Sequence, residues 1–218
     1  MDKAFLFDMN GTMIDDMQFH QAAWFEILNN ELNANMTEAQ TRSHMYGKNE
    51  ELFARVFGND KYSQEEVHAF SLKKEKKYQS AFLPHLKLIE GLQVFLETAK
   101  RNRISMAIGT AASPFNVNYV LDHIPVREYF AAIVTADDVI ASKPDPEVFT
   151  RCADLLDITY EHCIVFEDSP KGVEAALNAG MKAVVLLTYH TEEEFSHLPN
   201  VLMLVKDYTD PQLDALFT

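Results

Sequence analysis

Short apolar runs and longer stretches of helical spacing share this chain unevenly. Residues 4–7 form a continuous apolar run that ends at Asp8. From residue 104 onward such runs recur, at 104–109, 131–134, 163–166, 182–187 and 201–205. Helical patterns lie between them, among them 91–101, 146–156 and 169–179. This alternation predicts right-handed crossovers and a mostly parallel sheet. Runs with no polar residue at every second position predict strands covered on both faces.

The stretch from Met17 to Ala81 breaks the alternation. It holds no strand pattern, but "QFHQAAWFEILNNEL", "NEELFARVFG" and "SQEEVHAFSLKKEKKYQSAF" carry apolar residues at three- and four-residue spacing. Residues 82–85 read as a return linker, and the lysine-rich "KKEKK" reads as a solvated helix face. The predicted architecture is α/β: a doubly wound, mostly parallel sheet built from residues 1–16 and 82–218. A helical cap of residues 17–81 is inserted after the first strand.

Charge narrows the function. Acidic residues outnumber basic ones 33 to 19, for a formal net charge of −14. That excludes nucleic acid as a partner, since its affinity rests on clustered Lys and Arg. It leaves room for a small phosphorylated ligand when a divalent cation supplies local positive charge. An apolar fraction of 47% fills a core. The two cysteines, Cys152 and Cys163, have no metal-ligand spacing and read as buried structural thiols. No apolar run reaches the roughly 18 residues of a membrane helix. Met1-Asp2-Lys3 leads straight into the first strand without a signal-like segment. The expectation is a cytoplasmic protein with no membrane partner, and a monomer, which suits a cap that opens and closes.

Polar groups cluster just after the predicted strands: Asp8 and Asn10 in "FDMNGT", Thr110 in "AIGTAAS", Lys143 in "ASKPDP", and Glu167-Asp168 in "CIVFEDSPKG". Parallel neighbouring strands would bring them to one edge of the sheet. An aspartate nucleophile, a hydroxyl, a cation and an acidic pair suit metal-assisted phosphoryl transfer. Mg²⁺ is the expected cofactor, because the ligands are oxygens.

These motifs, in this order, resemble the haloacid dehalogenase superfamily, in the branch of β-phosphoglucomutase-like phosphatases and mutases with a helical cap. "FLFDMNGT" matches the family's first motif except at Asn10, where the family carries a second aspartate. Thr110 matches the second motif, "SKPDPEVF" the third and "VFEDSPKGVEAALNAGM" the fourth. "HQAAW", with His20, and "MYGKNEELF", with Gly47 and Lys48, are similar to cap segments of this branch. The resemblance implies that Asp8 becomes an aspartyl phosphate. It implies a Mg²⁺ site made by Asp8, Asp168 and the backbone carbonyl of Asn10, with Glu167 acting directly or through water. Thr110 and the Ala111 N–H would hold phosphate oxygens, while His20, Gly47 and Lys48 would serve substrate binding from the cap.

Asn10 departs from the pattern, because an amide has no titratable proton. The family's acid/base step is therefore impaired or altered, or is supplied by His20, Asp15 or Asp16. The expected function is a Mg²⁺-dependent phosphatase of a small phosphorylated metabolite such as a sugar phosphate. Three other readings stand beside it: a phosphosugar mutase, a phosphonate hydrolase using Lys48, and a non-catalytic phosphosugar-binding protein. The mutase reading lacks an Arg close after Gly47, the first being Arg55.

Overall fold

The computed structural model describes residues 3–217 and divides the chain into two compact units. One comprises residues up to Asp15 and from Lys87 onward; the other is Asp16–Leu86. The expected cap span of 17–81 lies inside the second.

The first unit is an α/β fold built on six parallel strands: β1 (Ala4–Phe7), β2 (Ser105–Gly109), β3 (Ala132–Val134), β4 (Cys163–Glu167), β5 (Lys182–Leu186) and β6 (Val201–Val205). Their order across the sheet is β3-β2-β1-β4-β5-β6. The chain thus winds outward on one side of β1 and then returns to build the other side. That reversal leaves a crevice at the carboxyl ends of the central strands. Asp8 follows β1 and Glu167 ends β4, its neighbour in the sheet.

The second unit is helical, with α1 (Met17–Glu26), α2 (Glu38–His44), α3 (Asn49–Phe57) and α4 (Gln64–Phe82). The sequence pattern anticipates α1, α3 and α4 but not α2. Helix α1 passes into a π-helical turn, Ile27–Glu31. Helix α4 starts at a capping box: Ser63 Oγ accepts from the Glu66 N–H, and Glu66 accepts from the Ser63 N–H at 2.8 Å. Trp24, Ile27, Leu28, Leu32, Leu52 and Phe53 form the core of this unit. Helix α4 runs on through Phe82, so the expected return linker is its last residue plus the 3₁₀ turn Leu83–His85.

Four further helices belong to the α/β unit: α5 (Leu92–Arg101), α6 (Pro114–His123), α7 (Glu147–Leu156) and α8 (Pro170–Asn178). The two faces of β1 show how they cover the sheet. Ala4 and Leu6 pack into a cluster with Val148, Phe149, Cys152, Val173 and Ala176 from α7 and α8. Phe5 and Phe7 face the other way, toward Phe95 of α5 and Tyr208; Phe7 stacks on Phe166 at 4.6 Å. Burial on both faces explains the unbroken apolar runs. Among the described residues no helix is long and apolar enough to cross a membrane.

Both thiols are buried and unbridged. Burial pushes Cys152 up to about 12 and Cys163 up to about 11. Native protein at pH 8 is therefore expected to leave both thiols unmodified by a thiolate-directed disulfide reagent, with full labelling after denaturation; rapid native labelling would contradict their burial. Phe5→Ala should cost roughly 3–5 kcal/mol by opening a cavity between the sheet and α5. Ile140→Ala, at a residue 91% exposed, should stay within about 0.5 kcal/mol. Urea unfolding followed by circular dichroism checks both, since the single tryptophan, Trp24, reports only the helical unit.

Candidate active site

The centre of the α/β unit's carboxyl edge is an ion triad. Lys143 Nζ donates to Asp8 Oδ1 at 2.6 Å, to Glu167 Oε1 at 2.7 Å and to the Gly109 carbonyl at 3.2 Å. All three side chains are buried. Burial alone would lower the Lys143 pKa, but the carboxylates of Asp8 and Glu167 outweigh it and hold the ammonium above its ordinary value. The Phe149 ring, 4.7 Å from Nζ, floors the site.

Glu167 is fixed from its other oxygen as well. Its Oε2 accepts from the Asp168 N–H at 2.9 Å, the Ser169 N–H at 2.8 Å and Ser169 Oγ at 3.0 Å. The carboxylate therefore curls onto the start of α8, where the helix dipole favours negative charge. Gly172 permits this approach: a Cβ there would come within 1.8 Å of Glu167 Oε1.

Gly11 makes a second cradle. It sits at φ +74°, and a Cβ would come within 2.1 Å of Asp168 Oδ2. The turn that carries Asn10 and Gly11 is tied down by two hydroxyls from distant segments. Thr188 Oγ1 donates to the Gly11 carbonyl at 2.6 Å, and the Tyr208 hydroxyl donates to the Thr12 carbonyl at 3.1 Å. Burial, and then the charges of Asp8 and Asp168, hold the Tyr208 phenol well above its ordinary value.

Thr110 follows β2, the other neighbour of β1, and is buried. Its N–H donates to the Val134 carbonyl at 3.0 Å and its Oγ1 accepts from the Ala112 N–H at 3.1 Å. Ala111 is part-exposed in the loop that leads to Ser113, the cap of α6. A helix start of this kind offers N–H groups to an anion.

Of the expected site residues, Asp8, Lys143 and Glu167 are in direct contact, and Asp168 adjoins Gly11. Asn10 is part-exposed on the same turn. His20, Gly47 and Lys48 belong to the helical unit. Gly47 has φ +70° in the loop before α3, and Lys48 is the N-cap of that helix.

His20 lies in a buried network rather than on an open surface. Its ring stacks on Tyr78 at 3.7 Å. Lys74 Nζ is 2.6 Å from Nδ1, and Nε2 is 3.3 Å from Asp16 Oδ2. Tyr78 donates to the same Asp16 oxygen at 2.5 Å, and Asn49 donates to Glu75 at 2.7 Å. Here the solvated-face expectation for "KKEKK" needs correction. Lys73 and Lys77 are at the surface, paired with Glu31 and Glu26, but Lys74 and Glu75 are buried. Two adjacent helix positions fall on the inner face, and they survive there because each finds polar partners.

Thr188, Tyr208, Phe149 and the glycine cradles escaped the sequence reading. Only Gly11 carried a local signal, its place in the turn after Asp8. Tyr208 lies far from Thr12 along the chain, and nothing in its neighbourhood points to the turn.

The donor chemistry fits a hard cation. Asp8, Asp168 and backbone carbonyls are all oxygens, and the Gly11 cradle leaves no room for a side chain beside Asp168. Among the described residues no three His, Cys, Asp or Glu side chains cluster to hold a metal by themselves. A cation here must draw on carbonyls and solvent, as magnesium does with one or two carboxylates.

Gly11→Ala and Gly180→Ala separate the cradle from the backbone effect. Both glycines have positive φ, but nothing lies within 4 Å of a Cβ at Gly180. Gly180→Ala should lose about 1–2 kcal/mol from the left-handed backbone alone. Gly11→Ala should lose clearly more in the same urea titration, because Asp168 must move; equal losses would show that Asp168 yields without cost.

Known proteins resemble this chain in sequence and in fold. Residues 5–186 match the family described as haloacid dehalogenase-like hydrolase. The chain is 30% identical over 179 residues to the fructose-1-phosphate phosphatase YqaB of Escherichia coli, covering 82% of this chain and 93% of that protein. It is also 30% identical over 191 residues to the β-phosphoglucomutase of Bacillus subtilis, covering 84% and 82%. The crystal structure of a β-phosphoglucomutase from Clostridium difficile superposes with a TM-score of 0.83 at 25% identity, covering 99% of this chain and 96% of that one.

Proposed function

The chain belongs to the haloacid dehalogenase-like hydrolase family, and we propose that it is a Mg²⁺-dependent phosphatase of a small phosphorylated metabolite, working through an aspartyl phosphate on Asp8. The observation that carries this reading is the Asp8 carboxylate at the end of the central strand, fixed by a buried lysine that also binds Glu167. A carboxylate held by a lysine in a buried site is oriented for attack on phosphorus.

Lys143 offsets charge at Asp8 and steadies it as the phosphoryl group arrives. Thr110 Oγ1 and the Ala111 N–H are assigned to the phosphoryl oxygens. Asp8, Asp168 and the Asn10 carbonyl would hold Mg²⁺, while Glu167, with both oxygens already engaged, orients Lys143 and the start of α8. When bound, the cation neutralises charge on the transferring phosphoryl group. Phosphosugars are the substrate class suggested by the activities of the two relatives, a phosphatase and a mutase.

The phosphatase reading is preferred over the mutase one because no Arg follows Gly47 closely, and the first, Arg55, is engaged within its own unit. Arg55 donates to the His44 carbonyl at 2.8 Å and to the Tyr46 carbonyl, and stacks on the Tyr46 ring. Lys73 and Lys77 are each paired with a glutamate.

Phosphate release from sugar phosphates and acetyl phosphate tests the reading. Release should require Mg²⁺, stop with EDTA, and fall roughly 10⁴-fold or more in Asp8→Asn. Acid-quenched wild type should carry hydroxylamine-labile phosphate that Asp8→Asn lacks. Tight Mg²⁺-dependent binding with no release from any donor would replace the phosphatase by a phosphosugar-binding protein.

A further inference from the structure

We infer that this site selects phosphoryl donors whose leaving group departs as a stable anion, acyl phosphates and phosphoanhydrides above all, over phosphate esters of simple alcohols. The inference rests on the phosphatase reading and narrows its substrate class. An alkoxide leaves phosphorus poorly unless the bridging oxygen receives a proton. Lys143 and Tyr208, which bind Asp8 and the turn after it, direct their hydrogens to fixed protein acceptors, and Asn10 on that turn is an amide.

Each can be followed through its hydrogen bonds. Lys143 has three N–H donors and directs them to Asp8, Glu167 and the Gly109 carbonyl. Glu167 accepts from Lys143 on one oxygen and from three donors on the other. Tyr208 gives its one hydroxyl hydrogen to the Thr12 carbonyl. Thr110 is an alcohol, too weak an acid to help another alcohol leave. Asn10, two residues beyond the nucleophile, is a carboxamide: it donates N–H hydrogen bonds but cannot release a proton.

Transfer without a general acid still balances. An oxygen of Asp8 attacks phosphorus, the bond from phosphorus to the leaving oxygen breaks, and its electron pair departs with that group as an anion. A carboxylic acid of pKa about 4 supplies such an anion readily, and a phenol of about 10 less so. Water then attacks the aspartyl phosphate. The bond to Asp8 breaks, its carboxylate leaves as its own anion, and the water's protons pass to the released phosphate and to solvent. The second step obeys the same rule as the first, because Asp8 is itself an acidic leaving group. Within carbohydrate chemistry, phosphate on an acyl or hemiacetal oxygen ranks ahead of phosphate on a primary alcohol.

The test is a leaving-group series with the full chain and Mg²⁺: acetyl phosphate, aryl phosphates from dinitrophenyl to phenyl, glucose 1-phosphate and glucose 6-phosphate. The value of kcat/KM should rise steeply as the leaving group becomes more acidic. Acetyl phosphate should exceed glucose 6-phosphate by about 10²-fold or more, the scale of a missing general acid. Asn10→Asp, which installs a carboxyl group, should flatten the series by raising the alcohol esters most. A shallow wild-type series, or one with the same slope in Asn10→Asp, overturns the inference and places a proton donor elsewhere. Absence of release from every donor, with Asp8→Asn indistinguishable from wild type, would sink the phosphatase reading itself.

Discussion

The α/β unit depends on one buried cation. Lys143 Nζ joins the segment after β1, the end of β2 and the end of β4 through Asp8, Gly109 and Glu167. Without it two carboxylates would face each other in a poorly hydrated crevice, where isolated charge is costly. With it they become an oriented pair. The remaining bonds of Glu167 then bind the start of α8, so one ammonium organises strand ends, a helix start and Asp8 together.

Close packing at the carboxyl edge follows from that arrangement. Acidic side chains can approach the backbone only where no Cβ intervenes, and Gly11 and Gly172 supply those openings beside Asp168 and Glu167. Thr188 and Tyr208 then hold the turn through carbonyls rather than carboxylates. The turn that carries Asn10 is thus held in place by segments far along the chain.

Strands and the polar residues at their ends were legible in the sequence for a physical reason. A strand buried on both faces must be apolar throughout, as Ala4–Phe7 and Lys182–Leu186 nearly are, and polar residues collect where such a run stops. The predicted strand bounds differ from the observed ones by a residue at most. What stayed hidden depends on contacts across the fold. Helix α6, with asparagines at 116 and 118, shows little apolar periodicity. Tyr208 meets the turn after β1 only because β6 returns the chain to that edge. The buried side of α4 presents Lys74 and Glu75 where the pattern leads one to expect Leu or Ala, and only the partners on α1 and α3 make that tolerable.

Two buried lysines show how partners, more than burial, set the state of a side chain. Lys143 and Lys74 are both almost wholly shielded from solvent. At Lys143 two carboxylates within 2.7 Å outweigh the loss of hydration, and the ammonium is held above its ordinary range. At Lys74 burial dominates and lowers the pKa, with Glu75 and then Asp16 only partly opposing it. The difference lies in what faces each nitrogen. Lys74 meets one carboxylate directly, at 3.1 Å, and its shortest contact is the His20 ring nitrogen. Asp16 is meanwhile occupied by Tyr78. A second carboxylate at hydrogen-bond distance is what separates a lysine held above its ordinary range from one held below it.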